Sequence, residues 1–230
     1  MNTIPNTNDN KDKTKFYKET FEKISEERKQ KIINEAIKEF AENGYNASNI
    51  NTIAKKAEIS IGSMYSYFAS KEDLFLTIVD ECFHVLESVL YSINLEDGNI
   101  FDILENLLRA SRYYAIKYPE FNQIYLDVTT QALSKFSNKL SHKLEEITAN
   151  KYMEIITRAK EQKLIDINID DKIVSFCIDN LILMFQFSYT SDYYRERMKI
   201  FTGYDTNKDD EKVIKEILKF IKKALSYKNQ

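Results

Sequence analysis

Apolar residues recur every three or four positions along most of the chain, the spacing of one face of an α-helix. The first such segment covers residues 25–43, with Ser25 as its N-cap and Gly44 as its stop. Two short segments at 49–57 and 60–68 follow, each too short to be stable alone. The pattern predicts three small helices that must pack together.

N-cap chemistry marks where these and the later helices begin. Ser48 and Ser60 are expected to cap the two short helices, and Ser70 with Asp73 three positions later predicts the cap of a longer one. Beyond these, helical spacing returns repeatedly, without strand-like alternation or an internal repeat. The further predicted helices are 100–117, one starting near 120, 134–163, 170–189 and 210–225.

Composition agrees with a helical protein. The 230 residues include only 4 glycines and 2 prolines, the residues on which tight hairpins and phosphate-binding loops depend. Hydrophobic residues make up 43% and charged residues 30%, which is typical of a globular protein. We therefore expect an all-α fold.

Net charge and cysteine content limit the class of partner and the compartment. A formal net charge of −3 excludes a bulk polyanion binder, so any contact with nucleic acid must be local. Cys82 and Cys177 are expected to be buried thiols in a reducing cytosol. No signal-peptide core or membrane span is apparent, and we expect a cytoplasmic protein with a disordered tail at 1–20.

Residues 44–74 carry the most informative motif. A short helix, a turn of about four residues and a second short helix, with small Ala54 where the two helices approach, predict a helix-turn-helix. In that motif the second helix enters the major groove of DNA. The alternative is a three-helix packing unit of an ordinary all-α protein, which leaves the polar and aromatic surface of 60–67 unexplained.

The spacing across this stretch resembles the N-terminal domain of TetR-family transcriptional regulators, over residues 24–85. The resemblance implies a DNA-binding domain at 21–86, with its helix-turn-helix at 49–68, and a larger helical domain at 87–230 for effector binding and dimerisation. Glu58 departs from the family, which usually has Gly in the turn, so we expect a positive φ there or a shifted turn. The matching residues are Ile53, Ala54, Ala57, Ile59, Ser60, Gly62, Tyr65, Tyr67, Phe68, Ser70, Lys71 and Glu72.

Candidate DNA contacts fall into two sets. Hydroxyl, amide and amine donors suit phosphate oxygens, and the resemblance assigns Lys71 to a phosphate. Base readout falls to the start of the second short helix; no arginine lies between Lys29 and Glu105, which favours an A·T-rich operator. The phosphate set is Ser48, Asn49, Thr52, Ser60, Tyr65, Tyr67 and Lys71, and the base set is Ile61, Gly62, Ser63 and Ser66.

The C-terminal two thirds carries no motif. The helix at 170–189 is apolar on every side and the helix at 210–225 on one side, so we expect both to pair with a second copy in a homodimer; the alternative is that they serve only the core. An apolar or aromatic small-molecule effector is expected in this domain, although most of its aromatic residues serve the core. The candidate effector residues are Phe83, Tyr113, Tyr125, Phe176, Asn180 and Phe185.

An enzyme is disfavoured. His84 and His142, the two histidines, are expected to be ordinary surface or core residues, and the four glycines form no phosphate-binding loop. We expect no metal, no cofactor and no membrane partner. The sequence favours a ligand-released repressor that binds palindromic operator DNA as a dimer; the alternative is a helical adaptor without an effector.

Overall fold

The computed structural model describes residues 15–92, 98–129 and 134–226, without the side chains of residues 92, 134, 135 and 137–144. The described residues form helices and contain no strand, which confirms the predicted all-α class. The helices are α1 (Glu19–Glu22), α2 (Glu26–Ala47), α3 (Ile50–Lys56), α4 (Ile61–Tyr67), α5 (Lys71–Ser92), α6 (Ile100–Lys117), α7 (Pro119–Val128), α8 (Ser134–Glu161), α9 (Asp171–Phe187), α10 (Asp192–Thr202) and α11 (Thr206–Leu225).

Two helices differ from the sequence-based expectation. Helix α1 lies at the end of the stretch predicted as a disordered tail, and its Phe21 is buried; residues 1–14 of that stretch lie outside the described residues. Helix α10 was not predicted. Its 11 residues include no buried side chain, so it lacks the buried stripe by which the other helices are recognised.

Most predicted caps are present. The hydroxyl of Ser25 accepts from the Arg28 amide at 3.3 Å, that of Ser60 from Ser63 at 3.0 Å, and that of Ser70 from Asp73 at 3.1 Å. Ser48 is the exception.

Asn49 caps α3 in place of Ser48. Its side-chain oxygen accepts from the Asn51 amide at 2.9 Å, whereas the buried Ser48 hydroxyl donates back to the Tyr45 carbonyl at 2.8 Å. The prediction of Ser48 as a cap was wrong by one residue, because both residues are good caps and only the backbone path decides between them.

The described chain divides into two compact units. The first contains the residues up to Ser88 together with Gln123–Ser134, and the second contains Val89–Asn122 and the residues from Lys135 onward. Fully or nearly fully buried side chains in the first unit include Ile32, Phe40, Ile53, Met64, Phe68 and Leu74. Those in the second include Leu104, Leu108, Phe136, Ile156, Phe185, Phe187 and Ile214.

Charged contacts join α6 to α11 within the second unit. The guanidinium of Arg109 donates to both carboxylate oxygens of Glu211, at 2.7 and 3.0 Å, and Arg112 pairs with Asp210. The two arginines lie one turn apart on α6 and meet neighbouring carboxylates at the start of α11. They align the last helix on the core of this unit.

Across the described residues, no single helix has the length and apolarity to cross a membrane. Helices α9 and α10 taken together, which are bent by 112° at their junction, have sufficient length and apolar composition, and nothing else about them indicates a membrane span.

Candidate nucleic-acid interface

The turn between α3 and α4 closes in the way helices commonly end. The amide of Glu58 donates to Lys55 O at 3.1 Å and the amide of Ile59 to Ala54 O at 3.0 Å, which is the Schellman pattern. That pattern needs a left-handed residue, and Glu58 adopts φ 58°, as the departure from glycine predicted. Its carboxylate also lies 2.6 Å from the Lys31 ammonium, which lowers the pKa of Glu58.

Small and apolar side chains fix the angle between α3 and α4. Ile53, Ala54 and Ala57 on one side and Met64 on the other are all at most 3% exposed. Because Ala54 presents only a methyl group, the two helices approach closely. The polar residues between these apolar positions are consequently turned to the outside.

Most of the predicted DNA-contacting residues lie on this outer face. Ile61 at the start of α4 is 39% exposed and Tyr65, one turn later, is 46% exposed. The Ser60 and Ser63 hydroxyls lie 2.9 Å apart, and the Ser66 hydroxyl donates to Ser63 O at 2.7 Å. The exposed or half-buried residues of the set are Asn49, Thr52, Ser60, Ile61, Gly62, Ser63, Tyr65 and Ser66, hereafter the α3–α4 face.

Ser48, Tyr67 and Lys71 make contacts within the chain that give them structural roles. Ser48 is 5% exposed and its hydroxyl donates to Tyr45 O. Tyr67 is 7% exposed and its ring packs against that of Phe21, with 5.8 Å between the centroids. Burial of these two side chains disfavours the phosphate contacts predicted for them, which stay predictions.

The ammonium of Lys71 closes the C-terminal end of α2. It donates to the carbonyls of Tyr45, Asn46 and Ser48 at 2.8, 3.2 and 3.0 Å, and lies 4.8 Å from the centre of the Tyr45 ring. These three bonds use its three N–H donors. The structure therefore favours a capping role for Lys71 over the phosphate contact that the resemblance implies.

We expect Lys71→Met to lower the free energy of unfolding by about 2 kcal/mol, because hydrogen bonds from a charged donor are lost and carbonyls are left unpaired. The salt dependence of DNA binding should not change. Urea unfolding and a salt series of DNA titrations measure the two quantities, with Lys55→Met, an exposed lysine of α3, as the charge-matched control. A salt slope reduced by about one with unchanged stability would restore the phosphate role.

Glu39 is a residue that the sequence analysis missed. Although it is only 4% exposed, its carboxylate accepts from the Asn49 amide at 3.2 Å and from the Lys56 ammonium at 3.2 Å. It thereby ties α2 to both ends of α3. The sequence could have indicated this role, because Glu39 directly precedes the core residue Phe40. A charged side chain buried at such a position needs a partner.

The candidate effector residues are divided between the two units. Phe83 and Tyr125 belong to the first unit, and Tyr113, Phe176, Asn180 and Phe185 to the second. Phe185 is fully buried and packs edge-on against Tyr189, which makes it a core residue. Tyr113 and Phe176 are instead 49% and 66% exposed. Aromatic content in the sequence did not distinguish these environments.

Helix α9 has two apolar faces with different surroundings. One face, which carries Ser175, Ile178, Ile182 and Phe185, is buried within the chain. The opposite face starts with Ile173, 61% exposed, and Phe176, and continues through Cys177, Asn180 and Leu183. We call these last five residues the outer α9 stripe.

The structure changes the interpretation of two residues of this stripe, Cys177 and Asn180. Cys177 is exposed and not buried as predicted, and Cys82 on α5 is half-buried, with the pKa of its thiol raised by that burial. The Asn180 amide donates to Phe176 O at 2.7 Å, so its side chain is satisfied within its own helix. Neither residue needs a bound molecule to explain it.

The histidines have no catalytic surroundings in the described part of the chain. The His84 ring nitrogens lie 3.4 Å from the carboxylates of Asp80 and Glu87, each about one turn away on α5. The side chain of His142 lies outside the described residues. Within the described residues, no three His, Cys, Asp or Glu side chains are placed to hold a metal ion.

Comparison with known proteins supports the helix-turn-helix interpretation. Residues 32–78 match the family model described as bacterial regulatory proteins, tetR family. Over 57 residues, 24% of this chain and 25% of the relative, the sequence is 47% identical to the HTH-type transcriptional regulator HbdR of Aromatoleum sp. (strain CIB).

A longer match and a structural likeness extend beyond that segment. The IcaR regulator of Staphylococcus epidermidis, a negative regulator of the biofilm operon icaADBC, is 27% identical over 56% of this chain and 67% of its own. FadR of Bacillus subtilis, solved in complex with stearoyl-CoA, superposes with a TM-score of 0.62 at 20% identity, over 82% of this chain and 96% of that one. The chain thus spans 25% of the length of HbdR and 67% of the length of the Staphylococcus epidermidis IcaR.

Proposed function

We propose that this chain, whose residues 32–78 match the model of the tetR family of bacterial regulatory proteins, is a sequence-specific DNA-binding repressor that acts as a homodimer on a palindromic operator. The observation that carries this proposal is the α3–α4 face, where polar and aromatic side chains surround a packed helix-turn-helix. Its relatives named above are transcriptional regulators, not enzymes.

Base readout is assigned to the start of α4. Ile61 presents its apolar side chain to a thymine methyl group, and the Ser63 hydroxyl can bond to more than one base. Asn49, Thr52 and Tyr65 supply donors for phosphate oxygens at the edges of the face. This part of the sequence contains no arginine, the usual bidentate partner of guanine, so an A·T-rich half-site is favoured.

Gly62→Ala tests the placement of α4 against the bases. A Cβ built at Gly62 meets only the Ser60 hydroxyl, at an ordinary 3.7 Å, so the free protein accommodates it and gains up to about 1 kcal/mol of helix propensity. In the groove the same methyl group occupies the space between helix and base edges. We expect at least a tenfold loss of affinity for a duplex selected from a random pool by the wild-type protein.

Binding of Gly62→Ala to poly(dI-dC) serves as the internal control and should stay within about twofold, since phosphate contacts carry non-specific affinity. Equal or tighter binding of the variant to the selected duplex would show that bases do not approach Gly62. If the wild-type protein selects no sequence from the pool, the alternative of a helical adaptor is favoured.

Dimerisation is proposed through α9 and α11. The outer α9 stripe leaves large apolar side chains exposed in the single chain, and Phe220 on α11 is 61% exposed as well. A second copy related by a twofold axis covers the same stripe on both protomers at once. We accordingly propose a DNA-binding domain at 21–86 and a dimerisation and effector domain at 87–230.

The effector is proposed to be a largely apolar small molecule. Support comes from the fold-level likeness to FadR, which was solved with stearoyl-CoA, and from the matched fatty acid metabolism regulator of Bacillus subtilis, 42% identical over 50 residues. A ligand that releases DNA must bind the DNA-free state more tightly than the bound one. Operator DNA should therefore weaken effector binding by the same factor by which the effector weakens DNA binding.

A further inference from the structure

The proposed recognition helix α4 is short and ends on carbonyl groups that its own turns do not satisfy. It spans only Ile61–Tyr67, and the Phe68 amide closes its last regular bond, to Met64 O at 2.9 Å. The carbonyls of Tyr65, Ser66 and Tyr67 lie beyond that bond. Helices of this length are marginal unless tertiary contacts hold their ends.

Residues 18–20 supply a donor to each of these three carbonyls. The Lys18 amide donates to Tyr67 O at 2.8 Å, the Lys18 ammonium donates to Tyr65 O at 2.8 Å, and the Thr20 hydroxyl donates to Ser66 O. The partners lie more than 45 positions apart in the sequence. Three consecutive carbonyls of one helix end are thus capped from a single short segment.

Phe21 anchors this segment next to α4. It is 5% exposed, and its ring centroid lies 4.8 Å from that of Phe68 and 5.8 Å from that of Tyr67. In contrast, Lys18 and Thr20 are exposed, so their side chains are not needed to fill the core. Their bonds act on the end of α4 alone.

We propose that Lys18 and Thr20 are positioning residues for DNA recognition, which hold α4 at the orientation in which its first turn meets the bases. Base contacts tolerate displacements of only about 0.5 Å, so the orientation of a seven-residue helix must be held from outside it. The positive Lys18 ammonium also suits the negative end of the helix dipole. This inference rests on the proposed function, because it assigns the residues to the same DNA-reading helix.

Thr20→Val is the main test, since it removes the hydroxyl donor while keeping shape and charge. We expect a five- to tenfold loss of affinity for the duplex selected by wild type, with unchanged binding to poly(dI-dC) and only a small decrease in the urea midpoint, because a single hydrogen bond is lost. Lys18→Met should give at least the same loss of selectivity. Lys23→Met is the control, since it removes the same charge from an exposed lysine that lies 3.8 Å from the Glu19 carboxylate. It should leave the ratio of the affinities for the selected duplex and for poly(dI-dC) unchanged.

Amide hydrogen exchange of the DNA-free protein separates this inference from the proposed function. In Thr20→Val the amides of α4 should exchange about tenfold faster, with those of α3 unchanged. Unchanged exchange of the α4 amides in Thr20→Val overturns the inference. This outcome does not depend on DNA, so it is distinct from a failure of the proposed function, in which the wild-type protein selects no DNA sequence. Faster exchange with undiminished selectivity also overturns it, because the bonds would then stabilise α4 without positioning it.

Discussion

Phe176→Glu is expected to convert the proposed dimer to a monomer and to lower affinity for a palindromic duplex more than 100-fold. Phe176 is 66% exposed in the single chain, so a charged residue there leaves the protomer fold intact. In a twofold interface the substitution occurs twice and buries two unpaired carboxylates, at a cost of several kcal/mol. Loss of the dimer then removes the gain from binding two half-sites together.

Sedimentation velocity measures the oligomeric state of this variant directly. Ile200→Glu on α10 is the matched control, since Ile200 is 73% exposed and lies outside the outer α9 stripe. The exposed Cys177 gives a second readout, because its alkylation should be faster in the Phe176→Glu monomer than in wild type. A variant that remains dimeric with unchanged alkylation would place the interface on another surface.

Asp179→Asn is expected to stabilise the protein at neutral pH by up to about 3 kcal/mol. Burial on α9, with a smaller contribution from the Glu145 carboxylate, raises the pKa of Asp179 from 3.8 to about 6. Between these pH values the folded state keeps a proton that the unfolded chain has released. The free energy of unfolding therefore falls as pH rises from about 4 to about 6, and the loss persists above that range.

Urea unfolding of both proteins from pH 4 to 7.5 checks this expectation. The two stability curves should converge near pH 4 and separate by pH 7, with Asp179→Asn above wild type. Glu216→Gln, which replaces an exposed carboxylate of α11 that pairs with Lys219 at 3.1 Å, is the control and should leave the pH dependence unchanged. Parallel curves for Asp179→Asn and wild type would show that Asp179 is solvated in the protein in solution.

Local interactions were predictable from the sequence. The N-caps at Ser25, Ser60 and Ser70 and the positive φ at Glu58 depend on residues within a few positions of one another. Helix α6 follows the predicted range because Asn99 caps its start and Pro119 follows its end. For the same reason the helix-turn-helix was recognisable before any tertiary contact was known.

It was less predictable which of the candidate DNA-contacting residues lie on the α3–α4 face and which are used within the chain. A lysine after an N-cap serine is compatible with either a phosphate contact or a structural cap, and for Lys71 the choice depends on carbonyls 23 to 26 positions away. Tyr67 and Tyr65 are two residues apart, yet one is buried and the other exposed. Glu39 acts through contacts 10 and 17 positions away, and the Lys18–Thr20 segment through contacts 46 and 47 positions away, which no local pattern indicates.

The all-α class, the positions of most helices and the helix-turn-helix could be read from the residues alone, because capping and helical periodicity are local and repeat along the chain. Which apolar faces are covered could be known only from the folded chain. For α9 the sequence shows apolar residues on every side, but which stripe is buried depends on where α6 packs. Burial is a property of neighbours distant in sequence, so the exposed Ile173 and Phe176 became visible as a candidate interface only in the folded chain.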